Sequence, residues 1–148
     1  MVPITSDMKK ILAKTLIKEH PDDYLIVFID PRQRKQAWEL VNDLKPFTSY
    51  TITSDEVSLV LRSSDWVKMS DSFLGYREEG PYRLITFDIV LDLSIVGFLS
   101  VIATALAESG VSIYALSTYL KDHILVKKRD AGKAIDVLNG LIAESRLG

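Results

Sequence analysis

The sequence predicts an α+β protein built from two modules of similar design. The predicted elements run strand, helix, strand, strand from Tyr24 to Leu61, and the same order returns from Arg83 to Val126. The stretch from Leu93 to Ala107 contains no charged residue, so its helix must be buried on more than one side. It is too short for a membrane span, which needs about 18 or more apolar residues. We therefore expect two modules that pack as a pair and cover each other's faces.

The first predicted element is a helix, because apolar residues from Met8 to Leu16 recur at the spacing of one helical face. His20-Pro21 is expected to end it. The next element, Tyr24 to Ile29, is a continuous apolar run with aspartates on both sides, which is typical of a central strand. Candidate caps for the helix are Thr5, Ser6 and Asp7.

The first module continues with a second amphipathic helix and a hairpin. Two short β-rich runs, Tyr50 to Thr53 and Val57 to Leu61, surround a polar turn and predict the hairpin. Because Trp38 belongs to the apolar stripe of the helix, we expect its ring to be buried. The full stripe consists of Ala37, Trp38, Val41 and Leu44.

A polar stretch follows the first module. Residues 66–81 are interpreted as a linker or a strand that crosses between modules, with residues 1–65 as the N-terminal module and 82–148 as the C-terminal one. Trp66 comes directly after Ser-Ser-Asp in this stretch. We therefore expect Trp66 to be less buried than Trp38.

The second module has clearer boundaries. Gly110 ends the uncharged helix, and the alternation from Val111 to Leu116 predicts a strand. A turn at Tyr119 to Asp122 leads into a strand at His123 to Val126. The last predicted helix extends from Ala131 to Ala143.

Composition excludes several classes of function. The chain has 148 residues, of which 47% are hydrophobic and 26% charged, as expected of a folded protein. A net charge of −2 supplies no broad positive field, so neither nucleic acid nor an anionic membrane is an expected partner. With no cysteine and two histidines, the sequence predicts no metal site.

The motifs of common enzymes are also missing from the sequence. It contains no G-x-G-x-x-G, P-loop, H-E-x-x-H or G-x-S-x-G motif, and its close carboxylate pairs have no histidine or nucleophile at diagnostic spacing. We expect no catalytic residues and no cofactor. The first residues lack the basic and apolar regions of a secretory signal, so a cytoplasmic location is the default expectation.

Three runs of residues resemble the ACT domain. They are D-L-S-I-V-G-F-L from Asp92 to Leu99, A-E-S-G from Ala107 to Gly110, and S-I-Y-A-L-S-T-Y-L-K-D-H-I-L-V from Ser112 to Val126. More narrowly, they resemble the tandem ACT subfamily related to aspartate kinase regulatory domains and to the cytosolic arginine sensor of the TOR pathway. The strong resemblance covers Arg83 to Leu141, whereas the first half is similar only in its order of elements. It implies ferredoxin-like βαββαβ modules with antiparallel sheets, helices on one face, and an amino acid bound between modules.

This resemblance implies a ligand site in the loop from Asp92 to Gly97. Free N–H groups at a helix start attract a carboxylate, and glycine allows a ligand to approach closely. On the residues alone, ordinary helix capping is the commoner explanation of such a loop. In the ligand site, Ser94 would donate through its side chain, and the main-chain donors would be Ile95, Val96 and Gly97.

A second wall of the site is implied at the turn that contains Ser117, Thr118, Tyr119 and Asp122. There, hydroxyls and a carboxylate would receive an amino or guanidinium group. The alternative is a hairpin turn that uses these side chains for local hydrogen bonds. The resembling pattern is S-T-Y-x-T-D-[YF], and this chain departs from it at Lys121 and His123. A lysine there would repel a cationic ligand, and a histidine replaces an aromatic wall with a titratable ring.

The sequence therefore predicts a non-catalytic regulatory or sensor protein that binds an amino acid or a similar small ligand. We expect it to form a homodimer, because a sheet edge and a nearly uncharged helix leave apolar surface to cover, and to act on a regulated protein partner. The alternative is a dimerisation or protein-interaction module with a vestigial ligand site. A third interpretation is an enzyme of unknown type, but the sequence contains no set of residues with the spacing of a known active site.

Overall fold

The computed structural model of the protein describes residues 4–147, which form five α-helices and six β-strands. The helices are α1 (Ser6–Lys14), α2 (Arg34–Val41), α3 (Ser63–Met69), α4 (Phe98–Glu108) and α5 (Ala131–Leu147). The strands are β1 (Leu16–Ile29), β2 (Ser49–Ile52), β3 (Val57–Arg62), β4 (Arg77–Asp88), β5 (Ile113–Ser117) and β6 (Asp122–Lys127). Short 3-10 turns lie at Pro31–Gln33, Ser70–Ser72 and Lys128–Asp130.

The chain divides into two compact units. Asp22–Tyr82 forms the first, which we call the middle unit. The described residues up to Pro21 and from Arg83 onward form the second, the terminal unit. The long strands β1 and β4 therefore each contribute residues to both units.

The middle unit is an antiparallel sheet with the strand order β2-β3-β1-β4. In its register, Tyr24 lies opposite Arg62 and Ile29 opposite Val57, so the predicted hairpin and central strand are present. Helices α2 and α3 cover one face of this sheet, where they enclose an apolar core. The core residues are Val27, Ile29, Ala37, Val41, Val57, Leu59, Leu61, Trp66, Met69 and Phe73.

The terminal unit has the strand order β1-β4-β6-β5, and helices α1, α4 and α5 pack on one of its faces. Phe87 of β4 meets Phe98 of α4 edge to face, with ring centroids 5.6 Å apart. Arg146 near the end of α5 donates from Nε to the Ala13 carbonyl at 2.9 Å, which ties α5 to the end of α1. The buried core around the aromatic pair includes Leu12, Ile85, Ile102, Leu106, Ile124, Val126, Ala134 and Leu138.

Each unit has the strand order of a ferredoxin-like fold. In the middle unit the elements follow one another as β1, α2, β2, β3, α3 and β4, which is the βαββαβ order. In the terminal unit the fourth strand comes from the N-terminal part of β1, and β4, α4, β5, β6 and α5 supply the rest. The predicted α+β class, with ferredoxin-like modules, antiparallel sheets and helices on one face, is confirmed.

The second segment of the terminal unit begins at Arg83, next to the predicted start of the C-terminal module at residue 82, whereas residues 66–81 lie in the middle unit. Helix α1 belongs to the terminal unit, and it ends at Lys14 with Thr15 as its C-cap, well before His20-Pro21. Residues from Leu16 onward are a strand because they occupy the fourth sheet position of the terminal unit, and this tertiary pairing overrides the helical spacing.

Residues 66–81, interpreted from the sequence as a linker or a crossing strand, contain both helix and strand. They hold most of α3 and the first residues of β4, and the Trp66 side chain is 1% exposed. Its Nε1 donates to Glu78 Oε2 at 2.6 Å, and its ring stacks on Phe73 at 5.6 Å between centroids. Trp38, in contrast, is 53% exposed and lies edge to face against Tyr50. The predicted order of tryptophan burial is therefore wrong, because the short helix α2 buries only Ala37 and Val41.

A buried polar chain crosses the sheet of the terminal unit. The Thr86 hydroxyl oxygen on β4 lies 2.8 Å from Nε2 of His20 on β1 and 2.8 Å from Nδ1 of His123 on β6. All three side chains are buried. A hydroxyl has one hydrogen, so it donates to one ring nitrogen and accepts from the other ring. Burial lowers the pKa of His123, the neighbouring His20 and Lys121 lower it further, and Asp122 opposes the change.

Acrylamide quenching of single-tryptophan variants tests the arrangement of the middle unit. We expect the fluorescence of Trp38 in the Trp66→Phe variant to be quenched strongly, because that ring is half exposed. Trp66 in the Trp38→Phe variant should be shielded and emit at shorter wavelength. Equal quenching of the two variants would contradict this packing.

The buried histidine chain predicts that stability falls in mild acid. Because the pKa of His123 is lowered in the folded state, the unfolded chain binds more protons below the ordinary histidine pKa of about 6.5. The free energy of unfolding should therefore decrease as the pH falls from 7 to 5. In His123→Gln, urea denaturation at several pH values should show a smaller decrease. An identical pH dependence in parent and variant would show that His123 does not contribute.

Candidate functional site

Two segments of the terminal unit line one cavity of about 270 Å³. The first is the loop between β4 and α4 with the first turn of α4, and the second is the turn between β5 and β6. The lining residues are Leu91, Asp92, Leu93, Ile95, Gly97, Phe98, Leu99, Ser100 and the whole of residues 117–122.

Local hydrogen bonds shape the loop before α4. Asp92 Oδ1 accepts from the Ser94 backbone N–H at 2.8 Å and from the Ser94 hydroxyl at 2.6 Å. The Ile95 N–H donates to the Asp92 carbonyl at 3.0 Å, which closes the turn. These bonds lower the pKa of Asp92, so its carboxylate is ionised at neutral pH. Asp92 and Ser94 thus form a turn ahead of the helix and do not cap its start.

The start of α4 is set by Gly97. Its φ of +94° is a left-handed conformation that residues with a side chain rarely adopt. A Cβ there would meet only Met8 Cε, at 4.0 Å, so backbone conformation and not lack of space explains the glycine. The first intrahelical bond runs from the Val101 N–H to the Gly97 carbonyl at 3.0 Å. The preceding N–H groups, of residues 98–100, have no partner within the helix, and these residues line the cavity.

Hydrogen bonds within the hairpin fix the opposite wall. Ser117 and Asp122 are paired across β5 and β6, and the Ser117 hydroxyl donates to Asp122 Oδ1 at 2.6 Å. The Thr118 hydroxyl donates to the Lys121 carbonyl at 3.0 Å and lies 3.5 Å from His123 Nε2. The buried histidine chain therefore ends at a residue of the cavity wall.

Lys121 has a carboxylate partner outside the cavity wall. Its Nζ lies 2.6 Å from Asp88 Oδ1 near the end of β4, and this contact lowers the pKa of Asp88. The positive charge that the sequence places beside the site is therefore compensated. This pairing weakens the expected repulsion between Lys121 and a cationic ligand.

The structure brings most of the predicted site residues together. Asp92, Ile95, Gly97 and all four predicted residues of the turn line the cavity, but Ser94 and Val96 do not. The Ser94 hydroxyl is bonded to Asp92, and the Val96 side chain is 88% exposed. Sequence reasoning did not identify the apolar lining or the first turn of the helix. Apolar residues at these positions are also typical of a hydrophobic core, so their pattern does not indicate a cavity. The missed residues are Leu91, Leu93, Phe98, Leu99, Ser100 and Leu120.

The cavity combines two kinds of polar group with apolar walls. Main-chain N–H groups and the positive end of the helix dipole lie at the start of α4, with Asp92 in the loop before it, and Asp122 lies in the opposite wall. Such an arrangement can hold a small ligand that carries both a negative and a positive group. Among residues 4–147, no group of three or more His, Asp or Glu side chains has the geometry of a metal site.

The described residues also contain no helix with the length and apolar character needed to cross a membrane.

Comparison with protein families finds a match to the ACT domain over residues 78–140, a range that includes the whole cavity lining. Comparison with curated proteins finds no match.

Solved structures resemble the chain over most of its length. A protein of unknown function from Vibrio cholerae, described as a possible transport protein, has a TM-score of 0.73 at 20% identity and covers 93% of this chain and 97% of its own. A protein from Agrobacterium tumefaciens has a TM-score of 0.69 at 24% identity, covering 86% of this chain and 89% of its own. The regulatory subunit of aspartate kinase from Thermus flavus has a TM-score of 0.63 at 10% identity, covering 84% and 95%.

At these identities the structural likeness establishes the fold. The family match covers the β4 to α5 region, and among the structural neighbours are regulatory domains of aspartate kinases. Residues 78–140 are thus similar to the ACT domain, and the chain shares its fold with these solved structures.

Proposed function

We propose that the protein is a non-catalytic regulatory or sensor protein that binds a free amino acid in the cavity between the start of α4 and the turn from β5 to β6. The observation that carries this proposal is the pairing of helix N–H donors with carboxylates in one small cavity. The ACT match and the aspartate kinase regulatory neighbours support a regulatory role that depends on a small molecule.

The two ends of an amino acid fit the two polar ends of the cavity. Its carboxylate would accept hydrogen bonds from the unpaired N–H groups at residues 98–100, where the helix dipole also favours negative charge. Its ammonium group would be received by Asp122, whose Oδ1 is already oriented by Ser117, or by the ionised Asp92.

The size of the cavity favours a ligand of few atoms. Binding sites for drug-sized molecules run from about 300 to 1,000 Å³, so the observed volume of about 270 Å³ lies just below that range. The side-chain portion of the ligand would meet the apolar walls from Leu91, Phe98 and Leu120. All lining residues belong to one unit, which agrees with a small ligand. That the ligand binds between two modules stays a prediction.

Exposed apolar side chains at the rim support the proposed homodimer. Tyr119 and Leu93 line the cavity and are 78% and 71% exposed, and Val96, which lies between the lining residues Ile95 and Gly97, is 88% exposed. A second copy that covers this rim would remove apolar surface from water and close the site. In this proposal the ligand-bound dimer acts on a regulated protein in the cytoplasm. The relation to the arginine sensor of the TOR pathway and the tandem arrangement of ACT modules stay predictions from the sequence motifs.

The same exposed rim favours a second candidate function, a dimerisation or interaction module with a vestigial ligand site. Thermal shift against each of the twenty amino acids separates the two. A ligand at one hundred times its dissociation constant should add about 2.7 kcal/mol to the free energy of unfolding. If no amino acid raises the melting temperature at millimolar concentration, the vestigial site is the better account.

Two substitutions should weaken amino-acid binding by different routes. Asp122→Asn keeps an acceptor for Ser117 but removes the charge, which should cost about 1.5 to 3 kcal/mol, or roughly ten- to a hundredfold in affinity. Gly97→Val places a branched side chain where the ligand carboxylate approaches and should abolish binding. Calorimetry with the amino acid that gives the largest thermal shift measures both effects.

Matched controls separate lost binding from lost stability. Gly110 lies at the other end of α4 with φ of +77°, and a Cβ at this glycine would have no atom within 4 Å. Gly110→Val should therefore strain the backbone similarly without touching the cavity. Asp71→Asn removes a carboxylate far from the site in sequence, in the middle unit. If Gly110→Val loses binding as fully as Gly97→Val, strain and not the site explains the loss.

A further inference from the structure

A second concave surface of the terminal unit lies between helices α4 and α5, with a volume of about 340 Å³. We call it the helix groove. Its floor is apolar, formed by Val101 and Ala105 of α4 and by Val137 and Leu141 of α5. None of its lining residues lines the proposed amino-acid cavity, so the two surfaces can be tested separately.

The charged side chains that line the helix groove are all acidic. Glu108 stands at the end of α4, and Asp136 and Glu144 stand on α5 eight positions apart, which is a little over two turns. All three are exposed. Lys133, one turn before Val137, donates from Nζ to the Ser109 carbonyl at 3.0 Å and is not part of the lining. An apolar floor with an acidic rim is complementary to a partner that is apolar on one side and basic beside it.

Gly140 provides a second, independent observation. It lies inside α5 and lines the helix groove between Asp136 and Glu144. Its φ is not positive, and a Cβ there would meet no atom within 4 Å, so neither backbone conformation nor crowding within the chain requires a glycine. Glycine inside a helix is destabilising relative to alanine. A glycine that nothing in the chain requires leaves the helix backbone open to close approach by another backbone.

From these two observations, we propose that the helix groove binds a basic amphipathic helix of a partner protein. Its apolar stripe would pack between α4 and α5 with close approach at Gly140, and its lysine or arginine side chains would pair with the rim carboxylates. The axes of packed helices lie about 8 to 10 Å apart, depending on the side chains at the contact, so a bulky side chain at position 140 would move the partner helix outward.

Helix α1, which has the most lysines of the chain's helices, is not the proposed occupant. Helix α1 carries Lys9, Lys10 and Lys14, but its apolar residues Met8 and Leu12 are buried in the core of the same unit. A second copy would have to unfold this packing to present α1 to the groove. A second copy is therefore not expected to fill the groove with α1.

Fluorescence anisotropy with designed peptides tests the proposal. The probe is a labelled 18-residue amphipathic helix with a leucine stripe flanked by lysines, and its counterpart carries glutamates in place of the lysines. Measured on the intact protein at physiological ionic strength, the basic peptide should bind at least tenfold more tightly than the acidic one. Equal affinities would overturn the proposal.

A pair of glycine substitutions in α5 gives the specific control. Gly140→Leu should weaken the basic peptide at least tenfold, and Gly132→Leu, at a second α5 glycine with open space but outside the groove, should not. Both changes replace helix glycine with a better helix former, so neither should lower the melting temperature. The triple variant Glu108→Gln, Asp136→Asn, Glu144→Gln should lose binding without loss of fold.

Two other outcomes would overturn the proposal. One is equal binding of the basic peptide to the two glycine variants. The other is a parent protein that sediments as a dimer while the Gly140→Leu variant sediments as a monomer. That result would show that the groove binds a second copy of the chain. In either case, an unchanged amino-acid thermal shift in Gly140→Leu would leave the proposed function intact.

Discussion

The terminal unit of this protein depends on a fourth strand that comes from a distant, earlier part of the chain. In the terminal unit, β4 occupies an inner sheet position only because the N-terminal part of β1 pairs beside it. That pairing covers the edge of β4 and completes the face on which α4 and α5 pack. It also positions His20 against Thr86, which links β1 through His123 to the wall of the cavity.

The candidate site is formed by the two segments that follow strands β4 and β5. Gly97 converts the end of the loop into a helix start, so that unpaired N–H groups lie at the cavity. On the opposite side, Ser117 orients Asp122, and Asp88 neutralises Lys121, so one carboxylate stays available to a ligand without a competing cation. Because α4 lines the cavity with its first turn and the helix groove with its later turns, both surfaces depend on the same helix.

Much of the fold could be predicted from the sequence because its signals are local. The alternation in β5, Gly110 after α4 and the hairpin of β2 and β3 each act over a few residues. The extensions of β1 and β4 could not be found, because Leu16–Glu19 and Arg77–Pro81 are polar or mixed and become strands only through their neighbours. The Trp66 environment was missed for the same reason, since Phe73 and Glu78 reach it from later in the chain. In the site, the polar residues could be predicted because they belong to a sequence motif. The apolar lining residues could not, because in the sequence they have the pattern of ordinary core residues.

Binding of an amino acid with its carboxylate at the start of α4 is the step on which the proposed function depends. Titration of ¹⁵N-labelled protein with the stabilising amino acid, followed by heteronuclear NMR, tests it residue by residue. We expect saturable shifts of the backbone amides at residues 98–100 and 118–121, with little change at the helix groove. Shifts that saturate but fall only outside these two segments would contradict this mode of binding.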